Sequence, residues 1–308
     1  MATIDETRAL PTPRPRRGLK RGEAVAGYLF LLPNIVGFLI FSSLPVLATL
    51  VISALDWDMI RAPTFVALQN YQQLLFNDPV FWQVLGNTVY YVVGTVPADI
   101  ILSLLLALAL NAQIRGISIF RAIFFIPVIS SAVAVAVMWQ WLYNTDFGLI
   151  DFALGFVGIK AIPWLSSTAW AMPALIIMAI WKHLGYNMII YLAGLQGIPT
   201  TLYEAAAIDG ANRWNAFRFI TIPLLTPTTF FILVISVINS FQVFDLAFIL
   251  TRGGPGNATN TVVMDIYNQA FQFFHMGYAA AVAWILFLII MAFTLIQWRV
   301  QKRWVHYE

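Results

Sequence analysis

Glu204-Ala205-Ala206-Ala207-Ile208-Asp209-Gly210 is the stretch on which the reading of this chain turns. It lies in a polar window, residues 196–221, between segments apolar enough to live in lipid. Ile198-Pro199-Thr200-Thr201 leads into it, and Thr201-Leu202-Tyr203-Glu204 has the spacing of a capping box. In that motif a hydroxyl and a Glu three residues on each satisfy a free amide at a helix start. Ala205, Ala206 and Ala207 propagate a helix at little cost. Gly210 is the residue type that adopts the left-handed conformation ending one. A second short helical run follows over Arg213–Phe219, and Pro223 is placed to open the next apolar segment as a first-turn proline. Local physics alone predicts a short helix, a glycine break and a second helix, which is also what a well-capped loop between two spans would look like.

The bounds around the window are those of a membrane protein. The chain has 308 residues, 60% hydrophobic and 10% charged, with mean hydropathy +0.80. An ordinary soluble domain is roughly a quarter charged, so the composition predicts a polytopic all-α membrane domain. With no cysteine, disulfides, thiolate metal sites and thiol nucleophiles are excluded. Net charge is +3, which in a membrane protein reflects topology and gives no argument for nucleic acid.

Six apolar stretches reach spanning length: residues 24–55, 84–110, 118–143, 169–193, 223–250 and 277–298. Residues 1–23 read as a flexible basic cytoplasmic tail, 24–303 as the transmembrane domain and 304–308 as a C-terminal tail. The apolar run after residue 23 is too long for the core of a cleaved signal peptide. With the N-terminus inside, the inner segments hold thirteen Lys and Arg, the outer loops three (Arg61, Lys160, Arg252), and Lys182 lies within a span. This split predicts that both termini and the Glu204 loop face the cytoplasm.

An ionisable group at bilayer depth is expensive unless paired or hydrated, and is a functional candidate by default. Asp99 falls on the second span, Lys182 and His183 on the fourth, and Asp245 toward the outer end of the fifth. A structural ion pair or hydrated contact for Asp99 and Lys182 competes with a proton relay, and His183 has the alternative of a satisfied internal histidine. A better-motivated set suits a hydroxylated ligand, because a sugar ring offers an apolar face and a polar rim. Trp181, His183, Tyr186 and Asn187 crowd one part of the fourth span, and Asn239, Ser240 and Gln242 do so on the fifth. His183 and Asn187, four apart, share a helix face. Ordinary interhelical packing would use the same residue types. No phosphate-binding Gly-x-x-x-x-Gly-Lys loop is present. Nor does any Ser/His/Asp set, metal cluster or carboxylate pair suggest catalysis.

Glu204-Ala205-Ala206, Asp209-Gly210 and the closing Ile222-Pro223-Leu224 resemble the EAA loop of membrane subunits of binding-protein-dependent ABC importers. The resemblance implies the six-helix type I importer permease fold, with Glu204, Ala205, Ala206, Asp209 and Gly210 forming a coupling helix that docks on an ATPase. It implies as partners a second permease, two ATP-binding cassette subunits that bind ATP and magnesium, a substrate-binding protein and the bilayer. This chain itself would hold no cofactor and be no enzyme.

Leu68-Gln69-Asn70-Tyr71 before the second span, Pro127 in the third and Thr251-Arg252-Gly253-Gly254-Pro255 after the fifth are similar to the carbohydrate-uptake branch of that family. By comparison with the maltose transporter, ligand positions fall at Val128 and Ala132, at Ala179, His183 and Tyr186, and at Ser236, Asn239, Ser240 and Val243. Val128, Ala132, Ala179 and Val243 lack the polar groups found there, so the substrate differs or the second permease carries recognition. A glycerol-3-phosphate importer of the same branch and an ion- or proton-coupled secondary transporter remain the alternatives.

Overall fold

The structure is a computed structural model and describes residues 21–112 and 115–306. Most of residues 1–23, and the last two residues, therefore lie outside it. Residues 21–23 belong to a helix. The described residues form two compact units that divide between Val51 and Ile52.

The first unit is α1 (Arg21–Phe38), a π-helical turn at Leu39–Ser43, and α2 (Leu44–Ile52). Residues 25–52 together form one apolar helix of spanning length, with no buried side chain, as suits contact with lipid.

The second unit opens with a two-stranded antiparallel ribbon, β1 (Leu55–Asp56) and β2 (Thr64–Phe65), paired Leu55 to Phe65. A single-turn α3 (Gln69–Gln72) follows, then α4 (Pro79–Leu110). Asp78 caps α4: its Oδ1 accepts from Val80 N at 2.8 Å and Phe81 N at 3.2 Å, and Pro79 takes the first helical position, where no amide hydrogen is needed.

The third apolar segment is not one helix. It is α5 (Ile117–Ile129) and α6 (Ala132–Leu142), bent by 101° at Ser130-Ser131. Both serines have extended backbone, which ends the α5 ladder two residues after Pro127. The next loop carries α7 (Leu149–Gly155).

α8 (Ala171–Gln196) is the central helix and packs along α4, α5 and α12. Beyond it come α9 (Thr200–Ile208), α10 (Arg213–Ala216) and, after a π-helical turn at Phe217–Thr221, α11 (Ile222–Leu224). α12 (Thr226–Phe241) follows with a 58° bend. Pro223 thus lies inside a helical run rather than at its start, and Pro227 holds the first-turn position of α12.

The fifth span is also shorter than its apolar run. It breaks at Gln242–Phe244, and α13 (Asp245–Leu250) is a separate helix packed on α6, where Gln140 Nε2 donates to Ile249 O at 2.8 Å. α14 (Val262–Tyr267) leads to α15 (Met276–Gln301). Of the expected tail, residues 304–306 are described and fold back. Trp304 lies edge-on to Phe230, and His306 N donates to Thr226 Oγ1 at 3.0 Å.

Among the described residues, four helices are each long and apolar enough to cross a membrane, and the two bent pairs bring the number to six. Little hydrophobic force drives helices together in lipid, so close packing and buried polar contacts must hold them. Gly185 shows the first of these. Its missing Cβ lets α8 run against the backbone of Phe124 and Phe125 in α5. Lys182, one turn earlier, shows the second. Its ammonium donates to Ser130 O at 3.1 Å and Pro127 O at 3.5 Å, carbonyls the bend leaves without helical partners.

Candidate substrate cleft and coupling loop

α4, α8 and α12 converge on a cleft of about 160 Å³. His183, Tyr186 and Asn187 line it from α8; Ser236, Asn239, Ser240 and Gln242 line it from α12 and its end. Seven of the eight residues read from the sequence as a path thus meet in one place. Trp181 does not: it stacks edge-to-face on Trp139 at 5.5 Å, on another face of α8. Of the positions carried over by resemblance, Val243 borders the cleft, Ala179 is packed in the core, and Val128 and Ala132 in the bent segment do not line it.

α4 supplies the third wall, which the sequence reading left out. Tyr91, Thr95 and Asp99, four residues apart, share one helix face and line the cleft. That polar spacing on an apolar helix was the available signal. Asp99 is 3% exposed; its Oδ2 accepts from Asn187 Nδ2 at 2.5 Å, and the same amide donates to Ser236 Oγ at 3.2 Å. One asparagine therefore bridges all three helices. The expected ion pair between Asp99 and Lys182 is absent, because Lys182 is committed to the α5 carbonyls. Asp245, read as lying on the fifth span, begins α13 and sits at the rim of the cleft. His183, Tyr186, Asn239, Gln242 and Asp245 are exposed on the open side of the cleft.

At the far end of α8 stands α9. No capping box forms: the helix begins at Thr200, Pro199 is the residue before it, and no side chain caps that start. Thr201 is inside the first turn, where its hydroxyl cannot serve as a cap. The C-terminus is closed as expected. Gly210 has φ +78°, Gly210 N donates to Ala207 O at 3.1 Å and Ala211 N to Ala206 O at 2.8 Å, the paired bonds of a Schellman motif. Asn212 then caps α10 through Asn215 N at 2.8 Å. Tyr203 OH pairs with Thr221 Oγ1 at 2.9 Å and tethers α9 to the segment leading into α12. Glu204, Ala205, Asp209 and Gly210 are exposed and Ala206 is half-buried. Ile208 (88% exposed), Trp214 (63%) and Phe219 (69%) are exposed apolar residues of the same polar window.

At the other end, the Gly-Gly-Pro loop is fastened to α4. Asn87 Nδ2 donates to Asn257 O at 2.7 Å and Asn260 O at 3.0 Å, and Val262 N donates to Thr88 Oγ1 at 3.0 Å. Arg252, Gly253, Gly256 and Asn257 all have positive φ, so the loop is a tightly wound object. Nearby, Asn70 Nδ2 donates to Ser53 O and Leu55 O at 2.9 Å each, and Tyr278 OH donates to Asp78. Burial, and then the charge of Asp78, push the Asp265 carboxyl up to about 6.

Residues 87–306 match the family of the binding-protein-dependent transport system inner membrane component. The chain belongs to that family. This permease is 39% identical over 292 residues to a probable ABC transporter permease protein, YesP, of Bacillus subtilis, covering 94% of each chain. It is 38% identical over 289 residues to a lactose transport system permease protein of Rhizobium radiobacter (92% of this chain, 96% of that one). It is also 36% identical over 285 residues to a trehalose/maltose transport system permease protein of Thermococcus litoralis, with the same coverage. A chain of the crystal structure of a bacterial ABC transporter importing the acidic polysaccharide alginate superposes with TM-score 0.81 at 25% identity (92% and 96% covered). The permease is accordingly a multi-pass inner-membrane transport component with the ABC importer permease fold, rather than an enzyme.

Proposed function

We propose that this permease is one of two transmembrane subunits of an ATP-driven importer of a saccharide. The carrying observation is the cleft. Hydrogen-bonding side chains from α4, α8 and α12 line it, it is open on one side, and α8 leads to an exposed helix closed at its C-terminal end by Gly210. A second permease completes the path on the open side. Relatives named for lactose and for trehalose/maltose support a sugar as cargo. A binding protein delivers it at the end carrying Gly253-Gly254-Pro255.

On the cytoplasmic side, two ATPase subunits, which bind ATP and magnesium, grip α9. Glu204 and Asp209 pair with basic groups there, and Ile208 and Trp214 fill an apolar cleft. The Schellman closure at Gly210 and the Tyr203–Thr221 tether make α9 a rigid lever, so displacement at the ATPase reaches α8 and α12 and reopens the cleft to the other side.

The test is copurification and uptake. The tagged chain should bring down an ATPase and a second permease, and Gly210→Asp or Glu204→Lys should leave the chain inserted while abolishing ATP-dependent uptake. A chain that purifies alone, or variants that transport at the wild-type rate, would end this reading. The proton-coupled alternative would need a relay through Asp99, Lys182 and Asp245. Lys182 is instead bound to backbone carbonyls in α5, apart from the cleft, which removes the middle of that chain.

A further inference from the structure

The charge of the cleft is one-sided. Asp99 is 97% buried, and while its Oδ2 is held by Asn187, its Oδ1 has no hydrogen-bond partner. A buried carboxylate oxygen left empty is costly, and such a group is normally found paired. Asp245 adds a second carboxylate at the rim; its Oδ1 takes only the amide of Leu246, at 2.9 Å. No Lys or Arg lines the cleft among the described residues. The one lysine nearby in sequence, Lys182, donates to Ser130 O and Pro127 O.

We propose that Asp99 is a specificity-determining residue, the acceptor for a hydroxyl or amino donor of the sugar in the path. The same carboxylate excludes substrates that carry a carboxylate, phosphate or sulfate at that position. The inference rests on the saccharide-importer reading and deepens it, since it rejects the glycerol-3-phosphate alternative and any uronate cargo. The physical basis is that a negative ligand group would be desolvated beside the buried Asp99 carboxylate, with Asp245 at the rim and no lysine or arginine in the cleft to offset either, whereas a neutral donor answers the unpartnered oxygen. A donor-accepting site built this way rejects an analogue lacking the donor more strongly than an apolar pocket rejects a misfit.

The experiment uses the assembled membrane complex of both permeases and both ATPases, without its binding protein, so that only the path can select. Equilibrium binding is measured for maltose and lactose, each against its aldonic acid (maltobionate or lactobionate), which differ by one anionic group. The expected result is a neutral sugar bound at least tenfold more tightly than its acid twin. Asp99→Asn should weaken the neutral sugar at least fivefold and shrink that ratio, and Asp99→Glu should restore part of it. Copurification of both permeases and both ATPases checks that each variant has assembled before its binding is read.

Asp245→Asn, at an exposed position, provides a second variant should Asp99→Asn fail to assemble; it should lower the ratio by a smaller factor. Twins bound equally by the wild-type complex, no binding of any probe, or a ratio unmoved by both variants would overturn the proposal. Absence of an ATPase from the preparation would instead overturn the importer reading beneath it.

Discussion

Gly185→Ala is expected to force α5 and α8 apart with a single added methyl group. A Cβ at 185 would stand 2.8 Å from the carbonyl carbon of Phe124 and 3.1 Å from the Cα of Phe125, with the Phe124 oxygen nearer still. Ordinary contact begins near 3.4 Å, so even the carbonyl carbon is short by about 0.6 Å, and the obstacle is backbone that no rotamer change can clear. α5 and α8 must separate. That alone costs about 1–3 kcal/mol. Separation also stretches the Lys182 contacts, already 3.1 and 3.5 Å, beyond hydrogen-bonding range. The ammonium and the two carbonyls are then stranded, raising the total to about 2–6 kcal/mol. Gly86→Ala is the control: it also lies within a long helix, α4, but its Cβ would meet nothing within 4 Å. Alanine there should be neutral or stabilising by about 0.5–1 kcal/mol. Thermal melting of the detergent-purified complex, read beside uptake, compares the two. Equal melting temperatures for Gly185→Ala and Gly86→Ala would refute the close-crossing argument.

Other outcomes follow from single contacts. Tyr203→Phe removes the tether to Thr221 and should cost about 1 kcal/mol of stability; the informative readout is a lower number of substrates moved per ATP, while the rate of ATP hydrolysis holds. Tyr186→Ala and Asn239→Ala should each raise the KM of uptake without loosening the ATPase in pull-down, and unchanged kinetics in both would remove those residues from the path. Asp265, held at about 6 against an ordinary 3.8, takes up a proton on folding between those values, so stability is greatest below about pH 4 for this group and falls as pH rises to about 6. The melting temperature of Asp265→Asn should exceed that of the wild type at pH 7.5, and the gap should narrow by pH 5. A gap independent of pH would assign the effect to packing instead.

The apolar pattern in the sequence was enough to predict a multi-span helical bundle, and two places show where it stops being informative. Residues 118–143 read as one span because Ser130 and Ser131 are small and unremarkable in an apolar run. Their extended backbone frees a carbonyl to which a lysine 52 residues away donates, and no local periodicity carries that. The stretch 223–250 likewise hides a break, since Val243 and Phe244 are as apolar as the helices on either side. The cleft was more legible than these breaks, because polar residues at helical spacing are conspicuous on lipid-compatible helices. His183, Asn187, Asn239 and Ser240 announced a face. Asp99 was visible as a charge but not as a member of the set, because its partner Asn187 lies on a different helix. At α9 the glycine stop was readable from residue type alone. The start was not, because Thr200 and Thr201 offered two registers and the helix took the one in which neither hydroxyl serves as a cap.

The crease at Ser130-Ser131 constrains how such permeases can be recombined. A graft that brings α5 and α6 from a relative into this protein, without the lysine that faces them, would import an elbow whose exposed carbonyls nobody answers. The reverse graft, placing this α8 beside an unbent donor helix, would strand an ammonium in hydrocarbon. Functional hybrids should therefore arise when residues 127–131 and 182 travel together, and crossover points drawn between the third and fourth spans should fail far more often than those drawn before or after the pair.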